Sequence, residues 1–161
     1  PKTPAPKKVK SEQGIIVEGL DNCLVKFSKC CTPVPGDDII GFITRGYGVS
    51  VHRTDCPNAT PEKQQAEPGR WVQVSWVDSD QEYYQTSLEI SAKDRDGLAL
   101  DVAMALSTQK VKVNNLSARS QPDGYATVYL VLSVKDKSEL ASVINKLSQV
   151  QGVFLVKRAG G

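Results

Sequence analysis

The amino-acid sequence predicts an α+β protein of two modules: a small, short-stranded, cysteine-containing β-rich unit over residues 14–77, then a ferredoxin-like βαββαβ unit over residues 84–158. Three observations predict this. Before residue 78 the apolar residues come in short runs broken by Gly and Pro, whereas after residue 83 long alternating stretches are separated by stretches of helical spacing. The charge balance changes sign too: residues 14–83 carry six basic and ten acidic side chains, and residues 84–161 carry ten and seven. Finally, the polar stretch 78–83 reads as a linker, which predicts few contacts holding the modules in one orientation.

Residues 1–13, PKTPAPKKVKSEQ, are rich in Pro and Lys with almost nothing to bury, and predict a linker or tag remnant. Structure begins at Gly14-Ile15-Ile16-Val17. Strands follow at 24–27, 39–44 and 49–53, where Val49 and Val51 alternate with Ser50 and His52. Pro33, Pro35-Gly36-Asp37-Asp38, Arg45-Gly46-Tyr47-Gly48 and Pro57-Asn58 mark the turns. A polar stretch, 58–70, precedes a strand over 71–77, with Val72, Val74 and Trp76 on one face and Gln73 and Ser75 on the other. In the second module Leu88, Ile90 and Ala92 alternate with Ser87, Glu89 and Ser91. Asp96 is the expected N-cap of a helix whose Leu98, Val102, Ala105 and Leu106 share a face. Residues 112–120 and 126–134 read as a hairpin around Gln121-Pro122-Asp123-Gly124. Asp136 or Ser138 caps a second helix bearing Leu140, Val143, Ile144 and Leu147, and 153–158 is the last strand before a tail, 159–161. This order puts both helices on one sheet face.

The chain has 161 residues, 40% hydrophobic and 24% charged, with a formal net charge of +2. That composition supports a core and excludes wholesale disorder. It also excludes a global basic field, so any nucleic-acid binding must come from local patches. No apolar run approaches the ~20 residues that span a bilayer, and no signal peptide opens the chain. A soluble, cytoplasmic protein with reduced thiols and no membrane partner is expected, and the start at Pro1 reads as a piece cut from something longer.

Cys30, Cys31, His52 and Cys56 supply three thiols and an imidazole, the donor types of a structural zinc site. The spacing argues the other way. Zinc knuckles set paired ligands two to four residues apart, and adjacent cysteines rarely chelate one tetrahedral ion. Only His52-x-x-x-Cys56 is an acceptable half-site, so the spacing predicts no stoichiometric zinc, with Cys30 and Cys31 as small buried hydrophobes at a tight turn. A single His and no oxyanion-hole motif make a cysteine hydrolase a poor reading. Arg45 and Arg53 bracket the Arg45–Gly48 turn and, with Lys26 and Lys29, are candidates for a small RNA-binding face, with Tyr47 at the tip to stack on a base and His52 beside it. The plainer alternative is a hairpin tip with ordinary exposed polar residues. Asp94-Arg95-Asp96-Gly97-Leu98 sits where a strand meets a helix N-terminus, with free N–H groups for a ligand carboxylate and acidic side chains for an ammonium. Asn114 and Asn115 are candidates for further amide contacts there. An N-cap at Asp96, eased by Gly97, explains the same residues without a ligand. No P-loop, dinucleotide fingerprint or Ser triad occurs.

The strings Lys29-Cys30-Cys31-Thr32-Pro33-Val34-Pro35-Gly36-Asp37, Ile40-Gly41-Phe42-Ile43-Thr44-Arg45-Gly46 and Gly48-Val49-Ser50-Val51-His52-Arg53-Thr54-Asp55-Cys56 strongly resemble one family. It is the C-terminal regulatory half of the long RelA/SpoT-homologue (Rel) enzymes, which make and degrade (p)ppGpp in the bacterial stringent response. Asp94-Arg95-Asp96-Gly97-Leu98 and the pattern around it resemble the family's terminal ACT (RRM-like) domain, so the likeness covers about residues 14–158. It implies that the first module is the segment called the zinc-finger, conserved-cysteine or ribosome-intersubunit (RIS) domain. It also implies that both domains engage large-subunit rRNA on ribosomes carrying deacylated tRNA, and that they relay control to upstream hydrolase and synthetase domains. Those catalytic domains are not in this sequence, so the fragment is expected not to turn over nucleotide. Two departures stand out. Tyr47 occupies a tip where the family often carries a basic or small residue, and Gly97-Leu98-Ala99 is less bulky than the commoner Gly-Leu-Leu.

Three functional expectations follow. The leading one is a non-catalytic regulatory module that binds ribosomal RNA. The second is an amino-acid sensor, in which paired ACT domains enclose valine or isoleucine and Leu98 helps to cover the side chain. The third is a structural zinc module whose main role is homodimerisation.

Overall fold

The computed structural model describes residues 13–20, 23–46 and 48–159. The expected linker over 1–13 (save Gln13), Tyr47 and the last two glycines of the tail lie outside the described residues. The fold is α+β, mostly strand, with three sheets among the described residues and none running through both halves of the chain. No described helix is long and apolar enough to cross a membrane.

In the first half, β1 (Ile15–Val17) pairs antiparallel with β6 (Val74–Trp76). A second sheet has the order β2 (Leu24–Phe27), β4 (Gly48–Arg53), β3 (Ile39–Ile43), β5 (Trp71–Val72), with β2 parallel to β4. The segment expected as one strand over 71–77 is two strands in two different sheets. The chain changes sheet at Gln73, whose carbonyl accepts the Glu18 N–H at 3.0 Å. The alternation survives the break, because Val74 is buried while Gln73 and Ser75 are exposed. The polar stretch 58–70 holds a 3-10 turn (Pro57–Ala59) and a short helix, α1 (Pro61–Ala66). Each starts with Pro behind a capping side chain: Cys56 Sγ accepts the Asn58 N–H and Thr60 Oγ1 accepts the Lys63 N–H. α1 buries no side chain, so no apolar periodicity announces it.

The second half follows the expected order. β7 (Tyr84–Lys93), β8 (Lys112–Ser120), β9 (Tyr125–Val134) and β10 (Val153–Arg158) form an antiparallel sheet ordered β10-β7-β9-β8. α2 (Leu98–Thr108) and α3 (Lys137–Ser148) pack on one face, and Leu98, Val102, Leu106, Leu140 and Leu147 meet Leu88, Ile90, Leu130 and Leu132 in one core. Asp136 caps α3 by accepting the Glu139 N–H at 2.8 Å. Asp96 does not cap α2. The N-cap is Gly97, at φ +78°, with no side-chain cap bond. A left-handed N-cap is open to glycine at little cost, and it carries the chain past the position where an Asp side chain would reach back.

The expectation of few contacts between modules is overturned. Arg158 at the end of β10 donates to both carboxylate oxygens of Asp37, at 2.6 and 2.8 Å, and to the Thr32 carbonyl at 3.0 Å. Arg53 donates to the Ala159 carbonyl at 2.6 Å, Thr32 and Thr86 share a hydroxyl bond at 2.9 Å, and the Lys137 N–H reaches the Pro35 carbonyl at 2.8 Å. Phe27 and Trp76 stack, Tyr84 meets both edge-on, with all centroids 5.6–5.7 Å apart, and Val34 is buried in the second half's core. Net-charge bookkeeping missed this interface because it rests on one buried pair, on hydrogen bonds to backbone and hydroxyl groups, and on apolar packing. Removing one partner of a buried ion pair strands the other, so Asp37→Ala is expected to lower unfolding stability by about 3–5 kcal/mol. Urea denaturation checks this, and a drop below about 1 kcal/mol would place the pair among ordinary surface bridges.

Candidate metal centre and the face around it

Cys30 and Cys31 lie in the turn after β2. The Thr32 N–H closes it onto the Ser28 carbonyl at 2.9 Å, and Thr32 takes φ +45°, a left-handed conformation that costs a non-glycine residue free energy. This turn bends the chain between the two cysteines so that both sulfurs face the same side. His52 comes from the outer face of β4, and Cys56 from the turn behind it, where its N–H bonds to the Arg53 carbonyl at 3.0 Å. The four donor atoms all lie within 4.8 Å of one another. Cys30 Sγ is 3.4 Å from His52 Nδ1, 3.6 Å from Cys56 Sγ and 4.0 Å from Cys31 Sγ, and Cys31 Sγ is 3.8 Å from His52 Nδ1. Cys30-Cys31, expected to be a poor half-site, here places both sulfurs within reach of His52 and Cys56.

The set fits a tetrahedral metal. Zn–S bonds of about 2.3 Å imply S···S edges of about 3.8 Å, close to the separations found here. Backbone N–H groups aim at two of the sulfurs: Arg53 N–H at Cys31 Sγ, 3.3 Å, and Asn58 N–H at Cys56 Sγ, 3.4 Å. Such bonds favour thiolate charge. Burial opposes it when no cation is present, pushing the Cys31 thiol up to about 12 and Cys56 above its ordinary value. Burial also lowers the His52 pKa, which keeps the ring neutral and its lone pair available. Bound there, zinc would supply cross-linking to a half whose buried apolar core is six residues. Cys23 stands apart, packed against that core.

The predicted RNA-contact residues divide. Lys26, Lys29 and Arg45 are exposed, and Tyr47 lies outside the described residues. Arg53 is only 4% exposed and turned inward, because alternation along β4 puts residues 49, 51 and 53 inside and 50 and 52 outside. It is an interface residue rather than a free cation. The register sets Lys26 beside Ser50, Phe42 beside Ser50 and Trp71, and His52 beside Ile40, all on the outer sheet face. Phe42 and Trp71 rings lie 4.8 Å apart, and the Arg70 guanidinium sits 4.4 Å above Phe42, held by the Ile43 carbonyl and Glu67. Together with His52, Lys63 and Glu62 these rings line a cavity of about 640 Å³. Phe42, Arg70 and Trp71 were missed in the sequence. Their signal is large aromatic side chains at the solvent-side positions of alternating strands.

The predicted ligand loop is only partly assembled. Arg95, not Asp94 or Asp96, ties it down, donating to the Gln151 and Asp96 carbonyls at 3.0 Å and pairing with Asp101 at 2.7 Å. Asp94, Asp96 and Gly97 border a cavity of about 460 Å³ with the far end of β8, at Ala118–Ser120. Leu98 is 4% exposed and packs in the core, and it also lines this cavity. Asn115 lies five residues from Ser120, about 16 Å along an extended strand. Asn114, at a bulge beside it, accepts the Ser133 hydroxyl. Within one chain neither asparagine joins the loop.

Comparison with known proteins gives two sequence-family matches, to the RelA/SpoT RIS domain over residues 15–77 and to the ACT domain over residues 80–158. The chain is 41% identical over 160 residues to the bifunctional (p)ppGpp synthase/hydrolase RelA of Mycobacterium tuberculosis, covering 97% of this chain and 21% of that protein. It is 36% identical to the GTP pyrophosphokinase of Escherichia coli strain K12, covering 91% and 20%. It thus spans about a fifth of the length of the curated relatives it matches. Among solved structures, the ACT domain of the Chlorobium tepidum GTP pyrophosphokinase aligns with 46% of this chain and 95% of its own, at 27% identity and a TM-score of 0.42.

Purified protein is expected to hold one zinc per chain, and Cys56→Ser to hold none. Because burial holds Cys31 and Cys56 protonated without a metal, uptake releases protons from them, and affinity falls as pH falls. Calorimetry in buffers of different ionisation enthalpy reads this release. A pH-independent affinity between pH 6 and 8 would contradict it.

Proposed function

The chain belongs to the RelA/SpoT family through its RIS and ACT domains, and on that premise we propose that it is a non-catalytic regulatory region that binds the ribosome and controls synthetase and hydrolase domains elsewhere in the parent protein. The rRNA near a deacylated tRNA is the surface it recognises. The observation that carries this reading is the outer face of the four-stranded sheet. There Lys26, His52, Phe42 and Trp71 share one side, Arg70 lies over Phe42, and the exposed Arg45 and Lys29 flank it. Aromatic faces stack on unpaired bases and lysine or arginine neutralises phosphate, which together suit single-stranded or loop RNA. Zinc, in this reading, holds the strands that carry the face. The region lies in the cytoplasm with the ribosome, and its domain boundary falls at 78–83.

A second reading keeps the ACT loop as an amino-acid site completed by a second copy of the chain. The cavity beside Gly97 favours it, since Gly97 has no side chain and a Cβ there would meet nothing nearer than Arg95 at 3.8 Å. A branched-chain amino acid is the ligand of this reading.

Two tests separate these. Lys26→Glu with Arg45→Glu is expected to weaken ribosome association at least tenfold. It should also flatten the salt dependence by about 0.7–0.9 in log–log slope for each phosphate that is no longer neutralised. Association unchanged across several salt concentrations would remove this face as the binding surface. Millimolar valine is expected to shift amide resonances at 94–100 only if the second reading holds. Gly97→Val lowers stability by about 1–2 kcal/mol under either reading, because φ +78° is strained for any side chain.

A further inference from the structure

Between the end of β2 at Phe27 and the start of β3 at Ile39 the chain has no strand or helix, and this connection contains Cys30 and Cys31. The seven residues from Cys31 to Asp37 hold much of the interface with the second half. Thr32 Oγ1 accepts the Ser87 N–H at 3.3 Å, the Thr32 carbonyl accepts Arg158, and Val34 enters the second core. The Pro35 carbonyl accepts the Lys137 N–H, and Asp37 binds Arg158. At Gly36, φ +100°, the backbone comes so close to α3 that a Cβ would lie 3.1 Å from Lys137 Cβ. On its other side the same connection is tied to β4 through the cluster, by Cys30 and Cys31 against His52 and Cys56. Arg53, next to His52, bonds to Cys31 Sγ through its N–H and to the Ala159 carbonyl through its guanidinium.

We infer that occupation of the Cys30–Cys31–His52–Cys56 cluster by a zinc-class cation clamps the 31–37 connection to β4 and thereby fixes the orientation of the ACT half against the RIS half. This rests on the metal reading above and goes beyond it. Without a cation the four donors are joined only by weak thiol contacts of 3.4–4.0 Å, so little beyond the Arg53 N–H to Cys31 Sγ bond holds the 31–37 connection at its β4 end, and its docking on the second half opens more readily. With a cation, three metal–sulfur bonds and one metal–nitrogen bond make the connection and β4 one body. A metal-binding event is thus converted into a change in how two domains are held, and the residues that transmit it, Thr32 and Arg53, act by positioning.

Two amides report this directly. The Lys137 N–H opens α3, where a helix offers no internal acceptor, and its bond crosses to Pro35. The Ser87 N–H lies just past the last β10 pair and is capped by Thr32. Hydrogen exchange on the 161-residue chain, zinc-loaded and after chelation, should show both amides speeding up at least tenfold when the metal is removed, while Val128 and Leu130 amides in the second core stay unchanged. Thr32→Ala, which removes the acceptor, should make the Ser87 amide fast even with zinc bound, and chelation should add little there. Metal content measured on the same samples separates the two claims. No zinc overturns the metal reading and the clamp together. One zinc per chain with unchanged Lys137 and Ser87 exchange overturns the clamp alone, as does a rise of all four amides in step, which is global unfolding.

Discussion

The first half of this protein depends on bringing three sulfurs and one imidazole nitrogen within 4.8 Å of one another. Its apolar core contains six buried residues, and its strands are two to six residues long. Burial on that scale does not offset the backbone entropy of some sixty residues. The cluster joins the turn after β2, the end of β4 and the start of the 3-10 turn, just beyond the last β2–β4 pair, Phe27–Val51. The cluster lies at the edge of the outer face that Phe42, His52 and Trp71 present, and His52 belongs to both.

The same geometry explains the interface. A segment without regular structure needs partners for its polar groups. The 31–37 connection finds them on the second half: Ser87 N–H, Lys137 N–H and the Arg158 guanidinium. The Asp37 carboxylate is 7% exposed, and its two oxygens accept Arg158 while one also takes the Val34 N–H at 2.8 Å. A buried ion pair gains little stability over an apolar contact but strongly penalises any other alignment, so it specifies orientation. Binding a partner across both halves then meets a preset surface rather than two domains to be ordered.

Much of the second half was legible because its signals are periodic. Alternation over ten residues of β7 and β9, and the four-residue spacing in α2 and α3, leave little freedom in assigning elements. The first half was legible as strands but not as a site. The approach of neighbouring cysteines to one site depends on the tight turn over 28–32, which the Thr32 N–H closes onto the Ser28 carbonyl, and nothing in the spacing announces that turn. Asp96 looked like an N-cap because the local motif fits one, and only the left-handed placement of Gly97 decides otherwise. Arg53 looked like a free cation because local sequence does not show that residue 159 returns beside it. Phe42 and Trp71 were missed, because only the register that pairs their strands sets the two rings side by side on the outer face.

X-ray absorption at the zinc edge on the purified chain tests most directly whether the cluster is a metal centre. The predicted result is one zinc with a shell of three sulfurs at about 2.3 Å and one nitrogen at about 2.0 Å. A shell of oxygen and nitrogen donors alone, or two sulfurs with bound water, would contradict it.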